Sequence, residues 1–243
     1  MKIFKTFESF LEEGVNDPGI LKAFFMAGGP GSGKSYVAGE LFGLPKDSSA
    51  SVSYDLGLKL VNSDAAFELL LKKANIDMAQ LMDIKDKDPA AWQDAMQIRA
   101  KAKKITKGTQ KMYIQGRLGM VIDGTGKNYK KIEGQVKELR ELGYDCYMVF
   151  VNTSKEVALE RNNNRPRKLP EDMVAKMWQE VQDNLGRFQR LFKAKRFEIV
   201  DNSKYGDSEP TDLVGKEIRK FMGQPVSNPI GKQWIQDQKN SRK

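Results

Sequence analysis

Residues 28–35 constrain this chain more than any other segment, because they fit the pattern G-x-x-x-x-G-K-[ST] at every position. The apolar run before them, residues 20–27, predicts a short strand, and residues 35–42 predict a helix. A glycine-rich turn between a strand and a helix lets backbone N–H groups surround a phosphate, with the positive end of the helix dipole directed at the anion. The sequence therefore predicts a phosphate loop that binds a nucleoside triphosphate.

Each position of this loop has a predicted task. Lys34 is expected to reach the β- and γ-phosphates of ATP, and Ser35 is expected to ligate Mg²⁺. The glycines let the chain approach the phosphates closely. The residues predicted to bind ATP are Gly29, Pro30, Gly31, Ser32, Gly33, Lys34, Ser35 and Tyr36.

Strands alternate with helices along the chain, which predicts an α/β fold with a parallel sheet of about five strands and helices on both faces. The predicted strands are 20–27, 58–61, 119–123, 147–151 and 197–200. The predicted helices are 65–73, a long one from residue 91 with a narrow buried face, 130–142, 154–162 and 171–192. The predicted domains are an N-terminal helical leader (1–19), a nucleotide domain (20–222) with a helical insertion at about 74–118, and a flexible tail (223–243).

Composition excludes several classes of site. The 243 residues include no histidine, so His-based zinc sites and a Ser-His-Asp triad are excluded, and a proton acceptor must be a carboxylate, Lys, Tyr or Cys. Cys146 is the single cysteine, which excludes an internal disulfide and favours a reducing, cytoplasmic location. No run is long enough to predict a signal peptide or a membrane span. The net charge of +9 favours polyanionic partners, nucleic acid first.

Two acids follow predicted strands. Asp64 follows the second strand, which we expect beside the first, and it could take the proton of an acceptor hydroxyl or could cap the helix that begins at residue 65. Asp123 ends the third strand, where it could hold Mg²⁺ directly or through water, or could cap the turn before Gly124. Because the carboxyl ends of parallel strands meet at one edge, both are candidates for the same site.

Two basic sets complete the candidates. Arg161, Arg165 and Arg167 follow a predicted helix and could neutralise charge on a transferred phosphoryl group, or could form a solvated loop. Lysines and arginines recur at four-residue spacing along the long helix, which predicts either a surface that binds a phosphodiester backbone or a solvated face. This basic ridge comprises Arg99, Lys101, Lys103, Lys104, Lys107, Lys111 and Arg117.

The ordered motifs at residues 28–35, 61–67, 121–126 and 161–167 resemble the zeta-toxin and polynucleotide-kinase-like group of P-loop kinases, over about residues 20–202. The resemblance implies a P-loop kinase fold, Asp64 as the base that deprotonates the acceptor, and Arg161, Arg165 and Arg167 as lid arginines. Zeta toxins commonly carry Glu where this chain has Asp123, so it departs from them at a residue that helps hold their nucleotide sugar. Residues 1–7 resemble the short leaders of head-associated proteins from large tailed phages.

These patterns predict an ATP-dependent kinase that phosphorylates a hydroxyl group, with DNA (a 5′ hydroxyl or a hydroxymethylated base) or a nucleotide as acceptor. A zeta-like kinase of a nucleotide sugar is an alternative. A non-catalytic or motor-type nucleotide-binding module is a second alternative, although the chain lacks the strand–Asp-Glu pair of motor ATPases.

Overall fold

A computed structural model describes residues 14–44, 56–78, 80–165, 168–204 and 209–241. Its centre is a five-stranded parallel sheet in the order β2-β3-β1-β4-β5. The strands are β1 (Lys22–Ala27), β2 (Lys59–Val61), β3 (Met120–Asp123), β4 (Asp145–Asn152) and β5 (Phe197–Asp201). The predicted α/β class and all five predicted strands are confirmed.

The helices are α1 (Lys34–Phe42), α2 (Asp64–Lys73), α3 (Leu81–Lys87), α4 (Pro89–Gln115), α5 (Tyr129–Glu141), α6 (Lys155–Asn163), α7 (Glu171–Gln182), α8 (Leu185–Phe192), α9 (Glu209–Gly223) and α10 (Pro229–Asn240). Single 3₁₀ turns lie at Gly14–Asn16 and Ala194–Arg196. Within the described ranges, no helix combines the length and apolarity needed to cross a membrane.

Strand β1 is buried along its whole length because helices cover both faces of the sheet. Alternate residues point to opposite faces of a strand. Ala23 and Phe25 accordingly belong to one apolar core with α5 and α8, whereas Phe24 and Met26 belong to a second core with α1 and α9. This central position fixes the loop that follows β1 at the carboxyl edge of the sheet.

The predicted order of the strands was wrong in one respect. We expected β2 beside β1, but β3 lies between them and β2 forms the edge of the sheet. The register pairs Phe25 with Ile122 and pairs Ile122 with Val61. Asp64 therefore follows an edge strand, and Asp123 follows the immediate neighbour of β1.

The insertion between β2 and β3 is more helical than its sequence predicts. Residues 75–90 read as irregular, yet they contain α3, and Leu81 packs with Phe67 and Ala95 in a small third core. Helix α4 passes Gly108 without a break. Its expected narrow buried face is wrong beyond Ala102, since Ile105 and Met112 are 46% and 61% exposed.

The predicted helix 171–192 is two helices, separated at 183–184. Asn184 is 5% exposed, and its Nδ2 donates to Gly126 O and Lys127 O at 3.0 and 2.9 Å. The break therefore places a buried amide against the turn that follows β3, close to the carboxyl edge of the sheet.

The C-terminal segment was expected to be a flexible tail, but it contains α10, whose Trp234 and Ile235 pack against the first core. Two buried charges hold the turn before α10. Lys22 Nζ donates at 2.6 Å to the carbonyls of residues 221, 222 and 224, at the end of α9. Asp145 accepts from Ser227 N at 2.7 Å and from Asn228 N at 3.1 Å. The domain limits themselves stay a prediction, and the predicted helical leader 2–12 lies outside the described residues.

Candidate active site

The loop between β1 and α1 has the backbone shape that a phosphate requires. Gly31 and Gly33 both have φ of 77°, in the left-handed region that L side chains rarely adopt. Helix α1 begins directly after Gly33, so its first backbone N–H groups face the loop. This combination of a glycine turn with a helix N-terminus fits an anion such as a triphosphate.

Neighbouring segments pack closely against Gly31 and Gly33 of the loop. A Cβ added to Gly31 would lie 2.3 Å from Ala158 O in α6, and one added to Gly33 would lie 2.1 Å from Asn202 Nδ2. Asn202, just after β5, also donates from Nδ2 to Ser32 O at 2.8 Å. Segments after β4 and β5 thus hold the loop in shape, and Asn202 is a residue that sequence reasoning missed.

Ser32 offers a further test of whether a phosphate fits. Ser32 is 1% exposed, and its Oγ has no hydrogen-bond partner within the described part of the chain. Leaving a buried hydroxyl unpaired costs about 1–3 kcal/mol. A phosphate oxygen in the loop is the kind of acceptor that such a hydroxyl lacks, so the residues present fit a bound phosphate.

Lys34 and Asp123 meet where the loop adjoins β3. Lys34 Nζ lies 2.5 Å from Asp123 Oδ1, and the two side chains are only 16% and 12% exposed. Asn62, at the end of β2, donates from Nδ2 to Asp123 Oδ2 at 2.8 Å. The carboxylate is therefore held from two sides, and Asn62 is a positioning residue that its place before the Ser-Asp pair could have suggested.

Ser35 and Tyr36 occupy the first turn of α1, where both are exposed, while Gly29 and Pro30 form the turn that enters the loop. A Cβ on Gly29 would lie 3.6 Å from Trp178 Cα in α7. The described residues contain no group of three acids or cysteines that could hold a metal alone. A Mg²⁺ at this site would use Ser35 and Asp123 and would keep several waters, as Mg²⁺ commonly does.

Asp64 lies farther from the loop than predicted, because β3 intervenes between β2 and β1. Its side chain is 70% exposed, and Arg99 Nη2 of α4 lies 3.8 Å from its Oδ1. The Arg99 guanidinium also lies over the Phe67 ring at 4.9 Å. The helix-cap position is Ser63, and Asn62 Oδ1 accepts from Asp64 N at 2.7 Å. The Asp64 carboxylate is therefore not used as a cap.

The three predicted lid arginines are not equivalent. Arg161, near the end of α6, donates from Nη1 to Gly31 O at 3.5 Å, so its side chain reaches the phosphate loop. Arg165 is exposed after the helix, and Arg167 lies outside the described residues. Asn162 is fully buried and closes this segment through paired hydrogen bonds with Leu169 O and Leu169 N at 2.8 and 3.0 Å. No local pattern around Asn162 indicates this role.

A cavity of about 630 Å³ opens beside Asp123, between α4 and α5. The predicted basic ridge divides at this point. Lys103, Lys107 and Lys111 line the cavity, whereas Arg99 pairs with Asp64 and the Arg117 guanidinium lies 5.8 Å from the Trp234 ring. Only part of the ridge therefore faces the candidate site.

A family model described as "AAA domain" matches residues 24–188, which is more than half of the chain. The chain belongs to this family. The matched segment, residues 24–188 of this chain, contains the phosphate loop, Asp64, Asp123 and Arg161, together with α4 and the cavity. No curated protein matches the chain in sequence.

Solved structures of the AvrRxo1-ORF1:AvrRxo1-ORF2 complex share the fold of this AAA domain. A chain of the complex with sulphate ions is 14% identical with a TM-score of 0.54, over 85% of this chain and 66% of that chain. A chain of the complex with ATP is 13% identical with a TM-score of 0.52, over 90% and 71%. A structure of the PezAT toxin–antitoxin system of Streptococcus pneumoniae aligns at 11% identity and a TM-score of 0.49, over 92% and 100%. The fold is that of the P-loop kinases.

Proposed function

We propose that this protein is an ATP-dependent kinase that transfers the γ-phosphate to a hydroxyl group, with DNA or a nucleotide as acceptor. One observation carries the proposal: Lys34 Nζ lies 2.5 Å from Asp123 Oδ1, and Asp123 lines the cavity beside the loop. A triphosphate on the loop and an acceptor in the cavity would meet at this pair.

The phosphate loop holds ATP through charge and backbone geometry. Backbone N–H groups of residues 31–35 donate to phosphate oxygens, and Lys34 exchanges its carboxylate partner for the β- and γ-phosphates. Asp123, released from Lys34 and still held by Asn62, would hold Mg²⁺ together with Ser35. A Mg²⁺ held there would supply positive charge that offsets the charge of the phosphates.

Asp64 is the proposed general base. Its carboxylate is exposed and is not committed to capping α2, and the neighbouring Ser63 lines the acceptor cavity. The acceptor O–H gives its proton to Asp64 as its oxygen forms a bond to the γ-phosphorus. The bond from the γ-phosphorus to the bridging oxygen breaks, and ADP leaves with that electron pair.

Arg161 is the proposed lid arginine. Its guanidinium already reaches Gly31 O of the loop, so a short movement would bring it to the transferred phosphoryl group. A cation there stabilises charge that develops in the transition state. Arg165 and Arg167 stay candidates from the sequence for the same task.

The test is transfer of labelled γ-phosphate to a panel of acceptors: DNA with free 5′ hydroxyls, DNA with hydroxymethylated bases, nucleosides and nucleotide sugars. Lys34→Ala should abolish transfer because it removes the side-chain cation that reaches the phosphates. Asp64→Asn should lower transfer about 10²- to 10⁴-fold, the usual effect of losing a positioned base, with ATP affinity unchanged. Asp94→Asn, an exposed acid on α4, is the matched control.

Different outcomes overturn different parts of the proposal. Transfer by Asp64→Asn at the wild-type rate would remove Asp64 as the base. Loss of ATP binding in Asp64→Asn would place Asp64 in the Mg²⁺ shell and make Asp123 the candidate base. Rapid ATP hydrolysis with no label on any acceptor would replace the kinase by a nucleotide-binding module of the motor type.

A further inference from the structure

Five lysines converge on the cavity between α4 and α5. Three of them, Lys103, Lys107 and Lys111, lie on successive turns of α4, where a four-residue period keeps side chains on one face. Lys127 and Lys131 approach from the turn after β3 and from the first turns of α5. All five are exposed, and none forms an ion pair within the part of the chain that the structure describes.

The floor of the same cavity is apolar. Phe25, Ile122 and Ile132 come from the centre of the sheet and from α5, and all three belong to the first core. A volume of about 630 Å³ is in the range of small-molecule sites, about 300–1,000 Å³, and it is too small for a duplex. The cavity thus combines an apolar surface for a flat ring with a cationic rim for a phosphate.

We propose that this cavity is the acceptor site and that it takes a phosphorylated acceptor of nucleotide chemistry, whose phosphate is bound by Lys103, Lys107 and Lys111. The inference rests on the proposed function and adds a substrate class and the residues that recognise it. Asp123 lines the cavity and pairs with Lys34, so an acceptor seated there has its hydroxyl on the side of the phosphate loop. The nucleobase of the acceptor contacts the apolar floor, and its phosphate contacts the lysines on the rim.

Charge supports a phosphate over a neutral acceptor. Among the described residues that line the cavity, the only acids are Asp123 and Glu138, against five lysines, and Asp123 is already paired with Lys34. Like charges on successive turns of one helix repel one another. A bound phosphate would offset that repulsion through charge-assisted hydrogen bonds.

The first experiment measures acceptor binding without ATP, so that its result does not depend on catalysis. The probes are a fluorescent nucleoside monophosphate, the nucleoside with the same base, and a short single-stranded DNA oligonucleotide. The test variant replaces Lys103, Lys107 and Lys111 by Gln. The control variant replaces Lys101, Lys104 and Lys137 by Gln; these lysines are exposed on α4 and α5 but do not line the cavity, and the change in net charge is the same.

Wild type should bind the monophosphate more tightly than the nucleoside. The test variant should bind the monophosphate about 10- to 100-fold more weakly, the range expected for one charge-assisted hydrogen bond or slightly more, while the control stays within about threefold. For the oligonucleotide, the log–log salt slope should fall by roughly 0.7 for each DNA phosphate that the variant no longer neutralises. Circular dichroism and ATP affinity should match wild type in both variants, since Gln is a good helix former.

The outcomes separate the two proposals. Equal weakening in the test and control variants, or equal wild-type affinity for monophosphate and nucleoside, would overturn the phosphate site. Weaker binding of the monophosphate alone supports it with a free nucleotide as acceptor, and weaker binding of both the monophosphate and the oligonucleotide supports it with a DNA strand as a further source of the phosphate. Weaker binding of the oligonucleotide alone would overturn it, because the three lysines would then not bind the phosphate of a small acceptor. Binding that follows these expectations without any phosphate transfer would contradict the kinase proposal and leave the phosphate site standing.

Discussion

The substitution Gly31→Ala tests the phosphate loop through folding energy. At φ of 77° an L residue costs about 1–2 kcal/mol relative to glycine. The new Cβ would also lie 2.3 Å from Ala158 O and 2.8 Å from Ala158 Cα, which are backbone atoms of α6. Relief therefore requires movement of the helix or the loop, and overpacking of this kind costs about 1–3 kcal/mol. Gly31→Ala should lower the free energy of unfolding by about 2–5 kcal/mol.

Urea unfolding measures this decrease as a shift of the midpoint at constant m value. Gly134→Ala is the matched control, because its site lies within α5 and a Cβ there would meet no atom within 4 Å. That control should stabilise the protein by about 0.5–1 kcal/mol. If Gly31→Ala leaves the midpoint unchanged, or raises it as Gly134→Ala should, the close packing of α6 against the loop is refuted.

Gly33→Ala separates the cost of placing an L residue at positive φ from the cost of a clash with backbone atoms. Its φ is also 77°, but its Cβ would meet Asn202 Nδ2, the end of a side chain that can rotate away. In an Asn202→Ala background only the conformational cost of about 1–2 kcal/mol should remain. A destabilisation in that background as large as that from Gly31→Ala would refute the assignment of the larger cost to backbone contact.

Two further predictions concern the first two residues of β4, at the amino ends of the strands. Asp145→Ala should lower the free energy of unfolding by about 3 kcal/mol, because it leaves Arg196 and the backbone amides of Ser227 and Asn228 without their buried carboxylate partner. Urea unfolding measures the decrease, and ATP affinity should not change; an unchanged midpoint would contradict this. Burial raises the pKa of the Cys146 thiol to about 12, so at pH 8 only about 10⁻⁴ of the thiol is ionised. A disulfide reagent should therefore react with Cys146 only after unfolding. Rapid labelling of the native protein would disprove this prediction.

The strands were predictable because each is a short apolar run bounded by turn residues, and burial on both faces requires such runs in a parallel sheet. Their order was not, since a helical crossover permits a strand to return beside its predecessor or beyond it. That difference affects the site directly. Placing β3 between β1 and β2 makes Asp123, and not Asp64, the acid that touches Lys34.

The residues that sequence reasoning missed are mostly amides that act through a distant partner. Asn62 orients Asp123, Asn202 binds the carbonyl of Ser32, and Asn184 breaks a helix to reach the turn after β3. Asparagine is common in turns and at helix caps, so its local pattern points to a nearby backbone partner. Contacts between residues separated by 58 to 170 positions depend on the folded sheet and leave no local spacing to detect.

The basic ridge shows how packing decides between two meanings of one pattern. A four-residue period of lysines on α4 is equally compatible with a solvated face and with a binding surface, because both leave the ammonium groups in water. The difference lies in what stands opposite. Helix α4 lies on one side of the cavity, so the face that carries Lys103, Lys107 and Lys111 is turned towards α5 and Asp123. Lysines on a solvated face have no protein surface opposite them. Lys103, Lys107 and Lys111 lie opposite an apolar surface that is bordered by two further lysines, Lys127 and Lys131. A phosphorylated ring compound would fill such a cavity.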